Sequence, residues 1–507
     1  MGTSQLRKHF FYKLITNFIR IPISFILQSI FPRILGPVAY GNFDFLVDNS
    51  NKIISFFDNG LSTAFYTRLS HKPEDLKLVK FFAWIVLFIS LFYIAFVCIS
   101  YISGIYLFIW PSQEFSFILL SALLGIVTFA SNSILKMIDA FNLTVRGEWN
   151  RMIQLVISVV VCYFSFLVFK TLSLDQFFFL QILLIGILIL GSILVLKHNA
   201  QKVIPSVVLS KADIKEYSRF FWNYSHPLLI YSFVGLFVGI GERWLLQIFG
   251  GSIQQGFFGL SFKVGAFVFL FTSAVIPLLT REFAILFGNT NLPSLQSLYI
   301  KNIKVLFFLA TCLGVFSSLN ANFIILILAG KGYEDAGIVV SIMAFYPIHQ
   351  TLGQLNGSLF YSTNRTRDYR NIGIFFMPLS LIMSYFLIAP TKYFGLELGA
   401  EGLVYEMLII QFLAVNVQLY SNMNFLNLKY WNIFWFQIII IISVFTLGFV
   451  EKKALVYFIK DEVINCLVFS VFFIFSLITL VFCIPKVIGV SKRQEMYEFF
   501  KKRKLEQ

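Results

Sequence analysis

In the stretch YGNFDFLVDNSNKIISFFDNGLSTAFYTR, residues 40–68, polar side chains recur every three or four positions: Asp44, Asp48, Asn51 and Lys52, Ser55, Asp58 and Asn59, and Ser62. On a helix that spacing draws them into one stripe. The run from Asp44 to Lys52 covers about 12 Å of helix axis, deep enough to enter the hydrocarbon of a membrane. Ionisable groups at that depth cost several kcal/mol unless they face a partner or water, which makes each of them a site candidate. Two chemistries suit the stripe. A fixed cation in a low dielectric holds an anionic group such as a phosphate strongly, and a carboxylate there can carry a proton if burial raises its pKa. Arg20 and Lys263, in the first and eighth apolar stretches, join Lys52 as candidate cations, and Asp44, Asp48 and Asp58 are the candidates for proton or sodium coupling. Asp48 and Lys52 are also an i, i+4 pair of favourable order, so a purely structural role, in which they neutralise each other and join helices, stands beside the functional one.

These residues need a membrane around them. Fourteen apolar stretches run from Phe10 to Pro485, each of roughly 17 to 30 residues, against about 20 needed to cross a bilayer. With 58% hydrophobic and 13% charged residues the chain cannot build a wet globular surface. The expectation is an all-α integral membrane protein of about 14 transmembrane helices. The first stretch, Phe10 to Phe31, is too long for a signal h-region and is expected to remain as a helix. Cys98, Cys162, Cys312, Cys466 and Cys483 all fall in apolar stretches without a CxxC pair and read as small core residues.

Charge distribution sets the orientation. With the stripe in the second span, 29 of the 40 basic residues fall on the side that carries both termini, and only eight, among them Arg33, Arg243 and Lys331, fall on the other. The positive-inside rule puts both termini in the cytoplasm. The net charge of +15 is thereby explained by topology, and by attraction of the tail ending KKRKLEQ to anionic membrane lipids. No nucleic-acid partner is expected, because the phenylalanines lie within the spans rather than interleaved with a basic groove.

The longest polar connection, His198 to about Tyr217, divides six spans from eight. A 215-residue shift superposes Gly36 on Gly251, Gly41 on Gly256 and Phe43 on Phe258, and places Lys263 where Asp48 stands. This weak repeat suggests two related bundles around a central cleft. The expected organisation is an N-terminal bundle over 1–197, a cytoplasmic linker over 198–218, a C-terminal bundle over 219–423, two peripheral spans over 424–485 and a basic tail over 486–507.

Other ionisable residues read as structural. Glu406 is placed at an interface, Arg243 is paired with its neighbour Glu242 at a helix end, Arg281 likewise with Glu282, and His226 and His349 are packing donors. There is no phosphate-binding glycine loop, metal-ligand cluster or nucleophile motif, so neither ATP hydrolysis nor a cofactor is expected.

The segments RILGPVAYGNFDF (Arg33 to Phe45), FFDNGLSTAFYTR (Phe56 to Arg68) and AGKGYEDAGIVVSIMAF (Ala329 to Phe345) resemble the Wzx-type O-antigen and capsule repeat-unit flippases of the multidrug/oligosaccharidyl-lipid/polysaccharide (MOP) exporter superfamily. The resemblance implies a non-enzymatic flippase of the bacterial inner membrane. It would carry undecaprenyl-diphosphate-linked oligosaccharide between leaflets by alternating access. In that frame Arg20, Lys52 and Lys263 hold the diphosphate, Asn51, Ser55 and Asn59 touch sugar, and one of the three aspartates couples to a proton or sodium gradient. The acidity of the stripe departs from a pure anion trap. A cation-coupled multidrug exporter of the same architecture is the first alternative, and a membrane-embedded polysaccharide polymerase or acyltransferase the second. Whether a polymerase and a chain-length regulator bind alongside is left open.

Overall fold

The computed structural model describes residues 3–199 and 207–483, excepting the side chains of 3–18, 21, 267–268, 270–274 and 483. The basic tail from Lys486, part of the 198–218 connection, and the side chains of Arg7, Lys8, Lys13 and Cys483 therefore lie outside the described residues. Everything regular among them is helical: α1 (Thr3–Asp58), α2 (Leu61–His71), α3 (Leu76–Ile102), α4 (Tyr106–Ile109), α5 (Phe115–Ala140), α6 (Thr144–Phe169), α7 (Leu174–His198), α8 (Lys211–Ser225), α9 (Leu229–Gly288), α10 (Leu292–Leu319), α11 (Ala321–Leu328), α12 (Gly337–Met343), α13 (Tyr346–Ser362), α14 (Thr366–Ile388), α15 (Gly399–Phe425), α16 (Tyr430–Phe458) and α17 (Glu462–Cys483).

Twelve helical stretches are long and apolar enough to cross a membrane. Two of them, Pro22–Asp58 and Lys211–Ala266, have 37 and 56 residues, or about 55 and 84 Å of helix against a core of about 30 Å. Each is broken once by a glycine, at φ 71°, ψ 171° for Gly36 and φ 70°, ψ −173° for Gly251. Only glycine adopts that backbone without strain. Counting each broken stretch as two crossings gives the fourteen that hydropathy predicts. The two breaks are 215 residues apart, so the weak repeat in sequence is a repeated backbone event.

The chain divides into two compact units, Met1–Gly256 and Phe257–Gln507. In the first, α1 packs on α5 and α6, and α5 on α7. Small residues make these approaches possible, as is usual where lipid supplies no hydrophobic drive for helices to associate. Ser50 Oγ lies 3.2 Å from Ser121 Oγ and accepts a 2.9 Å hydrogen bond from Tyr93, while a Cβ on Gly125 would press on Ile54 and Ser50. The crossing of the two glycine-broken segments is reciprocal: a Cβ on Gly41 would collide with the Ser252 carbonyl, and one on Gly256 with the Pro37 carbonyl. Since 41 and 256, and 37 and 252, differ by the same 215 residues, this contact has local twofold character. At one end of the unit α8 closes a smaller core with α2, α3 and α5, where Phe65, Phe82, Tyr217 and Phe221 are buried. The helix thus begins at Lys211, within the stretch read from sequence as linker.

The second unit is built on a longer core in which Phe283, Tyr299, Phe307, Leu359 and Leu419 are buried. An amide lattice crosses it: Tyr299 donates to Asn356 Oδ1 at 2.6 Å, Asn356 to the Val415 carbonyl at 3.1 Å, and Asn422 to the Asn356 carbonyl at 3.2 Å. The last two spans, α16 and α17, pack against α10 and α11, with Phe316 stacked on Phe469. Outward-facing residues are apolar in both units, for example Phe164, Leu190, Phe375 and Phe475, which suits a lipid surface.

Candidate functional site

The stripe lies on α1 after the Gly36 break, and the opposing groups come from the first segment of α9. Lys52 Nζ donates to Asp48 Oδ2 at 2.6 Å and to the Gly239 carbonyl at 2.7 Å. Arg243, four residues beyond Gly239 and therefore one turn further along the same face, donates from Nη2 to Asp44 Oδ2 at 2.6 Å and approaches Asp48 Oδ2 with Nε at 3.9 Å. Two cations and two carboxylates thus alternate along one seam, with Asp48 between Lys52 and Arg243. The side chain of Arg243 is 5% exposed, whereas those of Lys52 and Asp48 are 32% and 36% exposed. One end of the seam is locked and the other is reachable.

Arg243 had read from sequence as a helix-end cation paired to Glu242. Its partners stand 199 and 195 residues away in the chain, a separation that no local pattern reports. The available signal was the four-residue spacing of Asp44 and Asp48, which presents two carboxylates to one guanidinium.

A second polar cluster lies lower on α1. A cavity of about 480 Å³ is lined by Asn51, Ser55, Asp58, Ser62, Lys136 and Arg151, among others. Asp58 accepts from the Ser62 amide at 2.9 Å and from its hydroxyl at 2.7 Å, and Lys136 donates to the same hydroxyl. Arg151 pairs with Glu148 at 2.9 Å, and Arg20 reaches the other oxygen of Glu148 at 3.7 Å. Glu148, Arg151 and Lys136 are additions that the sequence reading did not single out. Arg151 lines the cavity, and Glu148 stands beside it, because α6 begins at Thr144, well before its apolar stretch.

The predicted residues are therefore distributed unevenly. Asn51, Ser55 and Asp58 share the cavity, and Arg20 reaches its wall through Glu148. Lys52, Asp44 and Asp48 form the seam with Arg243. Asn59 is buried and its amide is spent on structure, donating to the Ser225 carbonyl at 2.9 Å and accepting from Ser232 at 2.6 Å. Lys263 is half-buried on α9 in the second unit. Glu406, expected at an interface, is buried at 2% exposure, and His349 is packed between Phe307 and Phe412. Among the described residues no group of histidine, cysteine and carboxylate side chains is arranged to hold a metal.

These helices, broken at two equivalent glycines, define a multi-pass membrane protein with the fold of the MOP-superfamily transporters. No protein-family model matches the chain, and no curated protein matches it by sequence. Among solved structures, an inward-facing multidrug resistance MATE family transporter of the MOP superfamily aligns with a TM-score of 0.66 at 13% identity, over 80% of this chain and 94% of the other. The lipid II flippase MurJ in an inward closed conformation aligns at 0.61 and 16% identity, over 92% and 99%. A MOP superfamily transporter from Pyrococcus furiosus Vc1 aligns at 0.52 and 12% identity, over 83% and 96%. At such identities the likeness is one of fold, and it bears out the sequence resemblance at the level of the superfamily architecture.

Proposed function

We propose that the protein is a flippase for lipid-linked oligosaccharides, moving an undecaprenyl-diphosphate-linked glycan from the cytoplasmic to the external leaflet of a bacterial inner membrane by alternating access, with both termini cytoplasmic and one six-helix bundle on either side of the linker. The observation that carries this reading is the seam of Lys52, Asp48, Arg243 and Asp44. A diphosphate offers more acceptor oxygens than a carboxylate, and it can take Lys52 from Asp48 while Asp48 retains Arg243 at its other side. Partner exchange of this kind costs less than stripping an unpaired cation of water, because no charge is left buried alone at any stage. The cations of the neighbouring cavity, Lys136 and Arg151, extend the attraction toward Asn51 and Ser55, where the first sugar would follow. Lys263, in the second unit, is proposed as a further cation for the anionic head group. The polyprenyl tail stays in lipid, since only the polar head needs shielding from hydrocarbon.

Asp48 is the residue through which a proton would couple: protonation removes its hold on Lys52 and favours anion capture, and deprotonation restores the pair and expels the anion. A cation-coupled multidrug exporter is the competing reading, favoured by the three aspartates of the stripe. Against it, Asp44 and Asp48 are engaged by Arg243 and Lys52, and Asp58 accepts two hydrogen bonds from Ser62.

The deciding experiment is depletion of the protein in its host. Build-up of undecaprenyl-diphosphate-linked oligosaccharide on the cytoplasmic face, relieved by wild type but not by Lys52→Ala or Lys263→Ala, is the expected result. An unchanged lipid-linked pool together with altered drug tolerance would replace the flippase by the exporter.

A further inference from the structure

The second unit contains a larger cavity, about 840 Å³, walled by α9 after its break, α13, α14 and α15. Its polar groups are mostly amides and hydroxyls. Gln350 and Gln354 lie one turn apart on α13, Gln411 and Gln418 two turns apart on α15, and Tyr361 and Tyr369 stand at one end with ring centroids 5.4 Å apart. Gln411 donates its amide to Gln350 Oε1. Gln418 lines the cavity, and its Oε1 is buried and accepts no hydrogen bond among the described residues. Thr280 of α9 donates to Ser358 of α13 at 3.0 Å. Two glycines of α13 keep the space open: a Cβ on Gly353 would press on Val415 at 3.0 Å, and one on Gly357 would touch the Tyr369 ring at 3.5 Å.

Among the described residues the lining contains no carboxylate and a single cation, Arg281, which is 71% exposed and paired with Glu282 at 2.8 Å. That composition disfavours a phosphate, which needs an unneutralised cation, and offers an organic cation no counter-charge beyond two tyrosine faces. It suits an uncharged ligand dense in hydroxyl and amide groups. A glutamine amide presents a donor and an acceptor side by side, the complement of neighbouring hydroxyls on a sugar ring, and a tyrosine face receives the ring's apolar C–H side. The volume falls within the range of about 300 to 1,000 Å³ typical of small-molecule sites.

We infer that this cavity is a neutral-glycan subsite, which binds sugar residues of the transported oligosaccharide separately from the charged seam of the first unit. It rests on the proposed function only for the origin of the glycan. The glutamines come as a pair on α13 and a pair on α15, 57 or more residues apart in the chain, and their convergence requires the packing of α13 against α15.

The test uses the full-length protein in nanodiscs and saturation-transfer NMR with two uncharged, lipid-free probes, N,N′-diacetylchitobiose and maltotriose, and with inorganic pyrophosphate as a separate probe. Wild type is expected to transfer saturation to at least one glycan. Gln418→Leu and Tyr369→Leu should weaken that binding by roughly three- to tenfold each, the loss of one or two hydrogen bonds or a ring contact. Gly357→Leu, which removes no polar group but fills the space over Tyr369, should abolish it, with thermal melting checking that the variant is folded. Lys52→Ala should leave glycan binding intact and weaken pyrophosphate. Absence of transfer to either glycan, or transfer indifferent to all three cavity variants, overturns the subsite while leaving the diphosphate reading untouched. Glycan binding without any pyrophosphate binding would uphold the subsite and remove the seam of Lys52 and Arg243 from the proposal. Displacement of the glycan by ethidium at a lower concentration than by a competing sugar would overturn the assignment to a neutral ligand.

Discussion

Lys52 and Arg243 carry the same charge and share a carboxylate, yet they are predicted to respond differently to substitution. Lys52 is partly accessible and holds one carboxylate and one carbonyl, so Lys52→Ala should spare folding and weaken pyrophosphate binding by about tenfold, the equivalent of about 1.4 kcal/mol. Asp48→Asn should do the reverse, freeing Lys52 and tightening pyrophosphate several-fold. Titration calorimetry of the purified protein reads both, and an Asp48→Asn variant that binds pyrophosphate no tighter than wild type would end the coupling role of that residue. Arg243 is buried against Asp44, and its removal takes a hydrogen-bonded cation away from that carboxylate. Arg243→Ala should destabilise by roughly 3 kcal/mol. Arg243→Lys should recover little, because a single ammonium cannot serve Asp44 and Asp48 from two nitrogens as the guanidinium does. Thermal melting in detergent is the measurement. The Asp48–Lys52 pair could be foreseen because it lies within one helix, whereas the Arg243 contacts join helices whose sequence neighbours give no sign of each other.

At the scale of the element, the breaks at Gly36 and Gly251 decide how two very long apolar stretches become four crossings. Alanine at either position would have to occupy backbone that side chains disfavour, at a cost of about 1 to 3 kcal/mol, and Gly41→Ala or Gly256→Ala would separate the reciprocal crossing. Equal losses of melting temperature for Gly36→Ala and Gly251→Ala are expected if the two breaks are structural equivalents. The amphipathic helix α8 makes a different prediction. Its Asp213 carboxyl is held down to about 2 from an ordinary 3.8, first by the hydrogen bond from Lys77 and then by those from Ser210. A carboxyl depressed by folding stabilises the folded state above its unfolded value and loses that effect as acid takes it through its folded one. The docking of α8 on α3 is therefore expected to hold at neutral pH and to loosen between about pH 4 and pH 2. Tryptophan fluorescence from Trp222 on α8 would report it, and Lys77→Ala should move the loosening to higher pH.

At the scale of the whole molecule, the prediction is transport. Reconstituted into vesicles, the protein should move a fluorescent undecaprenyl-diphosphate sugar between leaflets, at a rate reduced at least tenfold in Lys52→Ala. The same vesicles should show no ethidium efflux under a proton or sodium gradient, and ethidium efflux without lipid movement would reverse the conclusion. The fold admits both outcomes, since MATE transporters and the lipid II flippase align with it almost equally, at 0.66 and 0.61. What would separate them here is the chemistry of particular side chains: a seam of alternating cations and carboxylates in one unit, and in the other an amide-lined cavity with no carboxylate among the described residues.

Hydropathy, basic-residue bias and the placement of glycines are properties of the chain read along its length, and they were enough to determine a membrane protein of fourteen crossings, its polar second span and the positions at which its longest helices break. The ends of the helices were less legible, because α6 and α8 extend in polar residues beyond their apolar stretches. The site was only half visible. Stripe residues are set by the 3.6-residue turn, which sequence encodes directly, but which carboxylate each cation takes, that Asn59 serves as a latch, and that four glutamines line one cavity depend on which helices lie side by side. In lipid that choice leaves little trace in hydropathy, since an apolar residue facing a neighbouring helix and one facing an acyl chain are equally apolar, so only the packed structure could decide it.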